Sequence, residues 1–333
     1  MADTYNSTQI RRITRQFGLN MLESTPIASF YRPNAVIQVQ TDAGTYALKP
    51  FRRSPLLRSN TTKQMNTAAG YVKLLMNSGY RYMPKWLPAH SGALWILSRG
   101  KPFYATEWIQ GRQLETTEDF EQLGLALAVL HTTPTERSRT KSSPTLEQIQ
   151  VCKTQDRLFR KKMARASKSE WFNQWVSKHG RTCKSLTDRA WDDLASSSMV
   201  KLMKQERAHP ALIHNDVTSP NVIISDDGRL FIIDWDRIQI GSTYLDTVKT
   251  ITNTTQFNPY FIQSFLKGYE ECRPLRRDER KLIAILYRLP REAWSAFQYQ
   301  DHARSRELLR IISQTWSMRL RAMELLAGWS DQS

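Results

Sequence analysis

The sequence predicts an α+β fold, with a small β-sheet part followed by a larger, mainly helical part. Three observations predict it. Runs rich in β-branched and aromatic residues, split by turn signals, occupy 27–50 and 93–108, with one helical stretch between them. From Glu118 onward, Leu, Phe and Trp recur at helical spacing over most of the chain. Between two helical blocks lie two short apolar runs, Val222–Ile224 and Leu230–Ile233, flanking a Ser-Asp-Asp-Gly-Arg stretch that reads as a hairpin turn.

A chain of 333 residues allows one large domain or two ordinary ones, with ample core. It contains no run of about 18 apolar residues, so no transmembrane helix is expected. The start, Met-Ala-Asp-Thr-Tyr-Asn-Ser, has no apolar segment of the kind a secretory signal needs. Cys152, Cys183 and Cys272 are widely spaced and make no Cys-x-x-Cys pair. They indicate neither a disulfide framework nor a zinc site, and a cytoplasmic location fits best. The formal charge is +17. Ten Lys and Arg and no Asp or Glu lie between Ala43 and Thr106, and seventeen basic against eight acidic residues lie between Thr132 and Pro210. The basic residues are scattered and match no nucleic-acid-binding module, so no specific nucleic-acid partner is expected. An anionic surface or substrate suits this charge, as does a solvated face with no single partner.

Taken in order, Ile10, Ile13 and Phe17 predict a short amphipathic helix that Gly18 ends. Ile27–Phe30, Ala35–Gln40 and Thr45–Pro50 predict three strands, separated by Arg-Pro-Asn and Asp-Ala-Gly turns. Met65, Ala68, Ala69, Val72, Leu75 and Met76 predict a helix over Thr62–Ser78, stopped by Gly79. Ala93–Leu97 and Phe103–Trp108 predict two more strands. Glu118–His131 predicts a helix with Phe120, Leu123, Leu127 and Leu130 on one face, and the lone His131 at its end reads as a packing residue. Thr132–Ser143 reads as a loop. Leu146–Lys168, Ser169–His179 and Leu186–Ala208 predict helices anchored by Trp171, Trp175 and Trp191, and residues 256–326 predict further helices.

The chemistry gathers at Ile213-His214-Asn215-Asp216-Val217-Thr218-Ser219-Pro220-Asn221 and at Ile232-Ile233-Asp234-Trp235-Asp236. Ordinary turns also use Asp and Asn. Here, however, a short loop and a hairpin bring Asp216, Asn221 and Asp234 to one edge of a small sheet. Such a set of oxygens suits Mg²⁺, which takes one or two carboxylates and leaves its other positions to water and phosphate. The order His-x-Asp-x4-Asn, hairpin, Ile-Asp resembles the catalytic loop and metal-binding Asp of protein-kinase-like phosphotransferases. More closely it resembles the aminoglycoside phosphotransferase and choline kinase superfamily, whose pattern is His-Gly-Asp-x4-Asn followed by Ile-Asp-Trp or Ile-Asp-Phe. The string around Asn215, with Gly268-Tyr269, Arg273-Pro274-Leu275 and Leu289-Pro290-Arg291-Glu292-Ala293-Trp294, looks most like the spore-coat kinase-like CotS proteins.

The resemblance implies a bilobal kinase-like fold, with an N-lobe at 1–108, a helical C-lobe at 109–333, and a helical substrate insert at 132–210. It implies ATP and Mg²⁺ as cofactors and the hydroxyl of a small molecule as acceptor. Asp216 would accept or orient the hydroxyl proton, Asn221 and Asp234 would hold Mg²⁺, and Lys49 would contact the phosphates. Glu107, Trp108 and Ile109 would form the adenine-binding hinge. His214 would hold the loop through hydrogen bonds, and Asp246 would tie it from a later helix.

Two departures stand out. Phe30-Tyr31-Arg32-Pro33-Asn34, where phosphates would lie, contains no glycine. No acid lies between Asp42 and Glu107, so the helix after Lys49 has none to orient it. Gln64 could hydrogen-bond Lys49 but not neutralise it, and either Asp234 orients the lysine or nucleotide binding is weakened. These departures open a rival reading, a pseudokinase or structural coat protein with weak or no catalysis. The basic insert argues against a polycationic antibiotic as acceptor and favours a neutral or anionic hydroxyl compound, such as a sugar or polyol.

Overall fold

A computed structural model describes residues 5–29, 32–51, 61–135, 140–165, 169–298 and 303–331. In chain order the first elements are α1 (Ser7–Gln16), β1 (Met21–Ser29), β2 (Arg32–Thr41), β3 (Gly44–Pro50), α2 (Thr61–Asn77), β4 (Ile96–Ser98), β5 (Lys101–Glu107) and β6 (Gly111–Arg112). Then come α3 (Thr117–Thr132), α4 (Pro144–Met163), α5 (Glu170–Leu194), α6 (Ser197–Gln205), β7 (Ala211–Ile213), β8 (Val222–Ser225), β9 (Leu230–Ile232) and β10 (Gln239–Gly241). The chain closes with α7 (Thr243–Thr254), α8 (Pro259–Cys272), α9 (Arg277–Tyr287), α10 (Arg291–Gln298), α11 (Ala303–Gln314) and α12 (Trp316–Asp331). The mixed α+β architecture of the sequence reading is the one observed. The ends expected at Phe30, at Lys168 and within the 132–143 loop involve residues outside the described ones, as do Phe30 and Tyr31 of the glycine-free turn.

The chain forms two compact units, one of Met1–Leu114 with His214–Gln239, the other of Glu115–Ile213 with Ile240–Ser333. In the first unit an antiparallel sheet runs in the order β1-β2-β3-β5-β4. Alternation along the strands turns Ile37, Val39, Leu48, Phe103 and Ala105 to one face, where they pack with Ile10 and Ile13 of α1 and with Phe17, which caps it. α1 ends as expected: Gly18 adopts φ 72°, and the N–H groups of Gly18 and Leu19 return to the carbonyls of Arg15 and Thr14. A smaller sheet, β6-β8-β9, completes the unit and carries the segment rich in polar chemistry.

The second unit is helical. α3 and α8 approach closely because Gly124 and Gly268 face each other's backbones. A Cβ at Gly124 would lie 1.9 Å from the Phe265 carbonyl oxygen, and one at Gly268 would lie 1.9 Å from that of Glu121. The seam also buries His131 and Tyr269. The Tyr269 hydroxyl donates to His131 Nδ1 at 2.7 Å, and Nε2 meets the Asp246 carboxylate at 3.3 Å. A carboxylate only accepts, so Nε2 carries the proton. Burial pulls the His131 pKa below its ordinary value, and the ring is neutral here. Among the described residues, no helix is long and apolar enough to cross a membrane.

Candidate active site

The site is built in the first unit. β3 and β5 pair with Lys49 opposite Tyr104, so the two side chains leave the sheet on the same face. Lys49 Nζ lies 3.0 Å from Asp234 Oδ1, and the Tyr104 hydroxyl donates to the same oxygen at 3.3 Å. Asp234 is 5 % exposed. Gln64 on α2 is half-buried and makes no hydrogen bond to Lys49 among the described residues. The acidic partner of Lys49 is Asp234.

Asp234 follows β9 and stands at φ 71° before a 3-10 turn over Trp235–Arg237. Asn215 stands at φ 66° between His214 and Asp216. This left-handed region suits glycine and tolerates Asn and Asp better than other residues. It explains physically why Asn215 can stand where the resembled pattern carries glycine.

Hydrogen bonds knit the loop to the strand that ends at Asp234. His214 is fully buried, its Nδ1 accepting from the Asp216 N–H at 3.3 Å and its Nε2 donating to the Ile233 carbonyl at 3.1 Å. Its ring packs edge-on against Trp235, with centroids 4.5 Å apart. The Ile233 N–H donates to the Asn221 carbonyl at 2.9 Å, and Asn221 Nδ2 donates to the Asp216 carbonyl at 2.9 Å. The Asn221 amide is thereby pinned through its nitrogen, which leaves its side-chain oxygen as an acceptor. Arg237 Nε lies 3.6 Å from Asp216 Oδ2.

The three residues expected to form a hinge lie elsewhere in the unit. The N–H of Glu107 donates to Lys85 at 3.0 Å, and that of Trp108 donates to the Thr45 carbonyl at 3.2 Å. The Trp108 N–H is therefore already occupied. Glu107, Trp108 and Ile109 line a cavity of about 790 Å³ with Met83, Lys85 and Phe231, and neither Lys49 nor Asp234 is part of its wall. Asp246 belongs to the second unit, where it meets His131. Sequence reasoning passed over Tyr104 and Arg237. Arg237 is visible in Asp-Trp-Asp-Arg, three residues after Asp234. Tyr104 has no local signal, because only the β3–β5 register places it beside Lys49.

As a set of donors, the Asp234 carboxylate and the Asn221 amide oxygen are hard oxygens, of the kind that suit Mg²⁺ shared with water and phosphate. Among the described residues, no cluster of three or more His, Cys, Asp or Glu forms a metal cage.

The model of the APH phosphotransferase enzyme family matches residues 32–283. Among solved structures, an aminoglycoside phosphotransferase from Alicyclobacillus acidocaldarius subsp. acidocaldarius is similar over 99 % of this chain and 98 % of its own, at 14 % identity and TM-score 0.82. Amicoumacin kinase hAmiN, in complex with AMP-PNP, Ca²⁺ and Ami, is similar over 96 % and 94 %, at 16 % identity and TM-score 0.61. The choline kinase LicA from Streptococcus pneumoniae is similar over 96 % and 98 %, at 16 % identity and TM-score 0.54. At these identities the likeness is one of fold.

Proposed function

The chain belongs to the phosphotransferase enzyme family, and from that premise we propose that it transfers the γ-phosphoryl group of ATP to a hydroxyl of a small molecule. The observation that carries this reading is the convergence of Lys49, Asp234 and the knitted His214–Asp216–Asn221 loop in one unit. Asp234 and Asn221 would hold Mg²⁺. When bound, it would offset the charge of the nucleotide phosphates. Lys49 binds phosphate oxygens from β3. Asp216 orients the acceptor hydroxyl and takes its proton, while His214 fixes the loop without exchanging protons. The Ile109 N–H and the Glu107 carbonyl present the adenine-binding edge, since the Trp108 N–H is engaged. A neighbour of the same fold is described with AMP-PNP and Ca²⁺, a nucleotide with a divalent cation, which supports the same use here. The net-basic insert favours a neutral or anionic acceptor such as a sugar or polyol, and the CotS-like strings favour a spore-coat setting.

A second reading, a kinase fold with little catalysis serving as a coat or interaction protein, is favoured by one observation. No acid stands on α2, and Asp234 is itself engaged by Lys49. Thermal-shift titration of the purified protein and of Asp234→Ala with ATP and Mg²⁺ decides between the two. A ligand that binds only native protein raises its stability by RT ln(1 + [L]/Kd). A magnesium-dependent rise in Tm that is lost in Asp234→Ala is the expected result. No rise at millimolar nucleotide rejects the kinase reading and leaves the scaffold.

A further inference from the structure

The Tyr104 hydroxyl donates to the same Asp234 oxygen that meets Lys49, and it does so from a ring that cannot move away. Tyr104 is 1 % exposed and Trp86 is fully buried. The two rings stack face to face, with centroids 4.1 Å apart and planes 6° apart, and Phe51 tilts against Tyr104 at 4.9 Å. The Trp86 Nε1–H is buried without a partner among the described residues. An unpaired buried donor is costly, so the indole is held in place by packing rather than by its hydrogen bond. The result is a rigid aromatic wall that aims one hydroxyl at one carboxylate oxygen.

The need for such a donor follows from the sequence. In a kinase-like site the lysine is usually oriented by an acid on the helix after it, which leaves the metal-binding Asp free. Here no Asp or Glu occurs between Ala43 and Thr106, and Lys49 leans on Asp234 instead. On the phosphotransferase reading Lys49 would turn to the phosphates of a bound nucleotide, while the Tyr104 hydroxyl, fixed by its packing, would stay bonded to the buried Asp234 carboxylate.

We infer that Tyr104 is a positioning residue for the metal site, whose hydroxyl holds the Asp234 carboxylate in its metal-facing orientation once Lys49 has moved to the phosphates. The inference rests on the phosphotransferase reading and adds an outer-shell partner to it. Such partners of metal ligands commonly contribute 10–100-fold in metal affinity.

The test is calorimetric titration of AMP-PNP into the full-length protein over a series of Mg²⁺ concentrations, comparing wild type with Tyr104→Phe. Ligand-free melting curves of both serve as the folding control. In Tyr104→Phe, the Mg²⁺ concentration for half-maximal tightening of AMP-PNP should rise about tenfold, while metal-free AMP-PNP affinity stays within about twofold of wild type. A purely structural tyrosine would lower the ligand-free Tm and leave the Mg²⁺ curve where it was, and that result overturns the inference alone. If wild type itself binds AMP-PNP with no dependence on Mg²⁺, the phosphotransferase reading fails and the inference falls with it.

Discussion

At the scale of single residues, the site depends on two side chains in a backbone region that most residues avoid. Asn215 at φ 66° and Asp234 at φ 71° sit on either side of the His214 bridge. Asn215→Gly should leave stability within about 0.5 kcal/mol of wild type, whereas Asn215→Ala should cost about 1–2 kcal/mol, measured by urea denaturation. Equal effects of the two would show that the Asn215 side chain, not its conformation, matters. His131 supports a second prediction. Burial lowers its pKa, as it does that of His179, so the unfolded chain binds protons more readily than the folded one. Stability is therefore retained above the ordinary histidine value of about 6.5 and is lost as pH falls below it. Glu206, whose pKa burial raises, acts with the opposite sign, since its contribution is lost as pH rises. The urea midpoint of wild type should fall between pH 7.5 and 5.5, and His131→Gln should flatten that fall. An unchanged slope in the variant contradicts a neutral His131.

At the scale of elements, close approach supports a prediction. Gly268→Ala would drive a methyl into the Glu121 carbonyl, which neither backbone can avoid without separating α3 from α8. The expected cost is about 3 kcal/mol or more, seen as a large fall in Tm. A loss under about 1 kcal/mol would mean that the seam yields. The sequence reading divides α5 between His179 and Leu186, but Gly180 does not break the helix, which runs over Glu170–Leu194. β6 escapes a sequence reading because two residues carry no period, and it exists only through its pairing with β8. α7 is similarly hidden, since its Thr-rich stretch has weak helical propensity and is stabilised by burial.

At the scale of the whole molecule the fold class was legible, and the loop of Asp216 and Asn221 lies against the strand that ends at Asp234, as the order along the chain leads one to expect. That Asp234 pairs with Lys49 was legible only as one of two outcomes, the other being a lysine left without an orienting acid, since the distance between strand and hairpin is set by packing that spans more than a hundred positions. Tyr104 was illegible for the same reason. The family match covers residues 32–283, and the kinase-like neighbours span nearly the full chain. The charge of +17 retains the meaning it had in the sequence, a preference about partners and not about fold.

The unit that carries Lys49 and Asp234 is discontinuous, with 214–239 returning to 1–114 after the whole of 115–213 has been laid down. On the ribosome its sheet emerges early, while Tyr82 still lacks the Ile232 N–H that will bond its carbonyl at 2.7 Å and β6 still lacks β8. The nascent half must wait through an entire helical block before it can close. Such long-range closure slows folding and prolongs the exposure of unpaired strand edges. Lys49 and Asp234 therefore meet only after the 115–213 block has been made, and a chain cut short before residue 214 lacks the carboxylate that Lys49 pairs with.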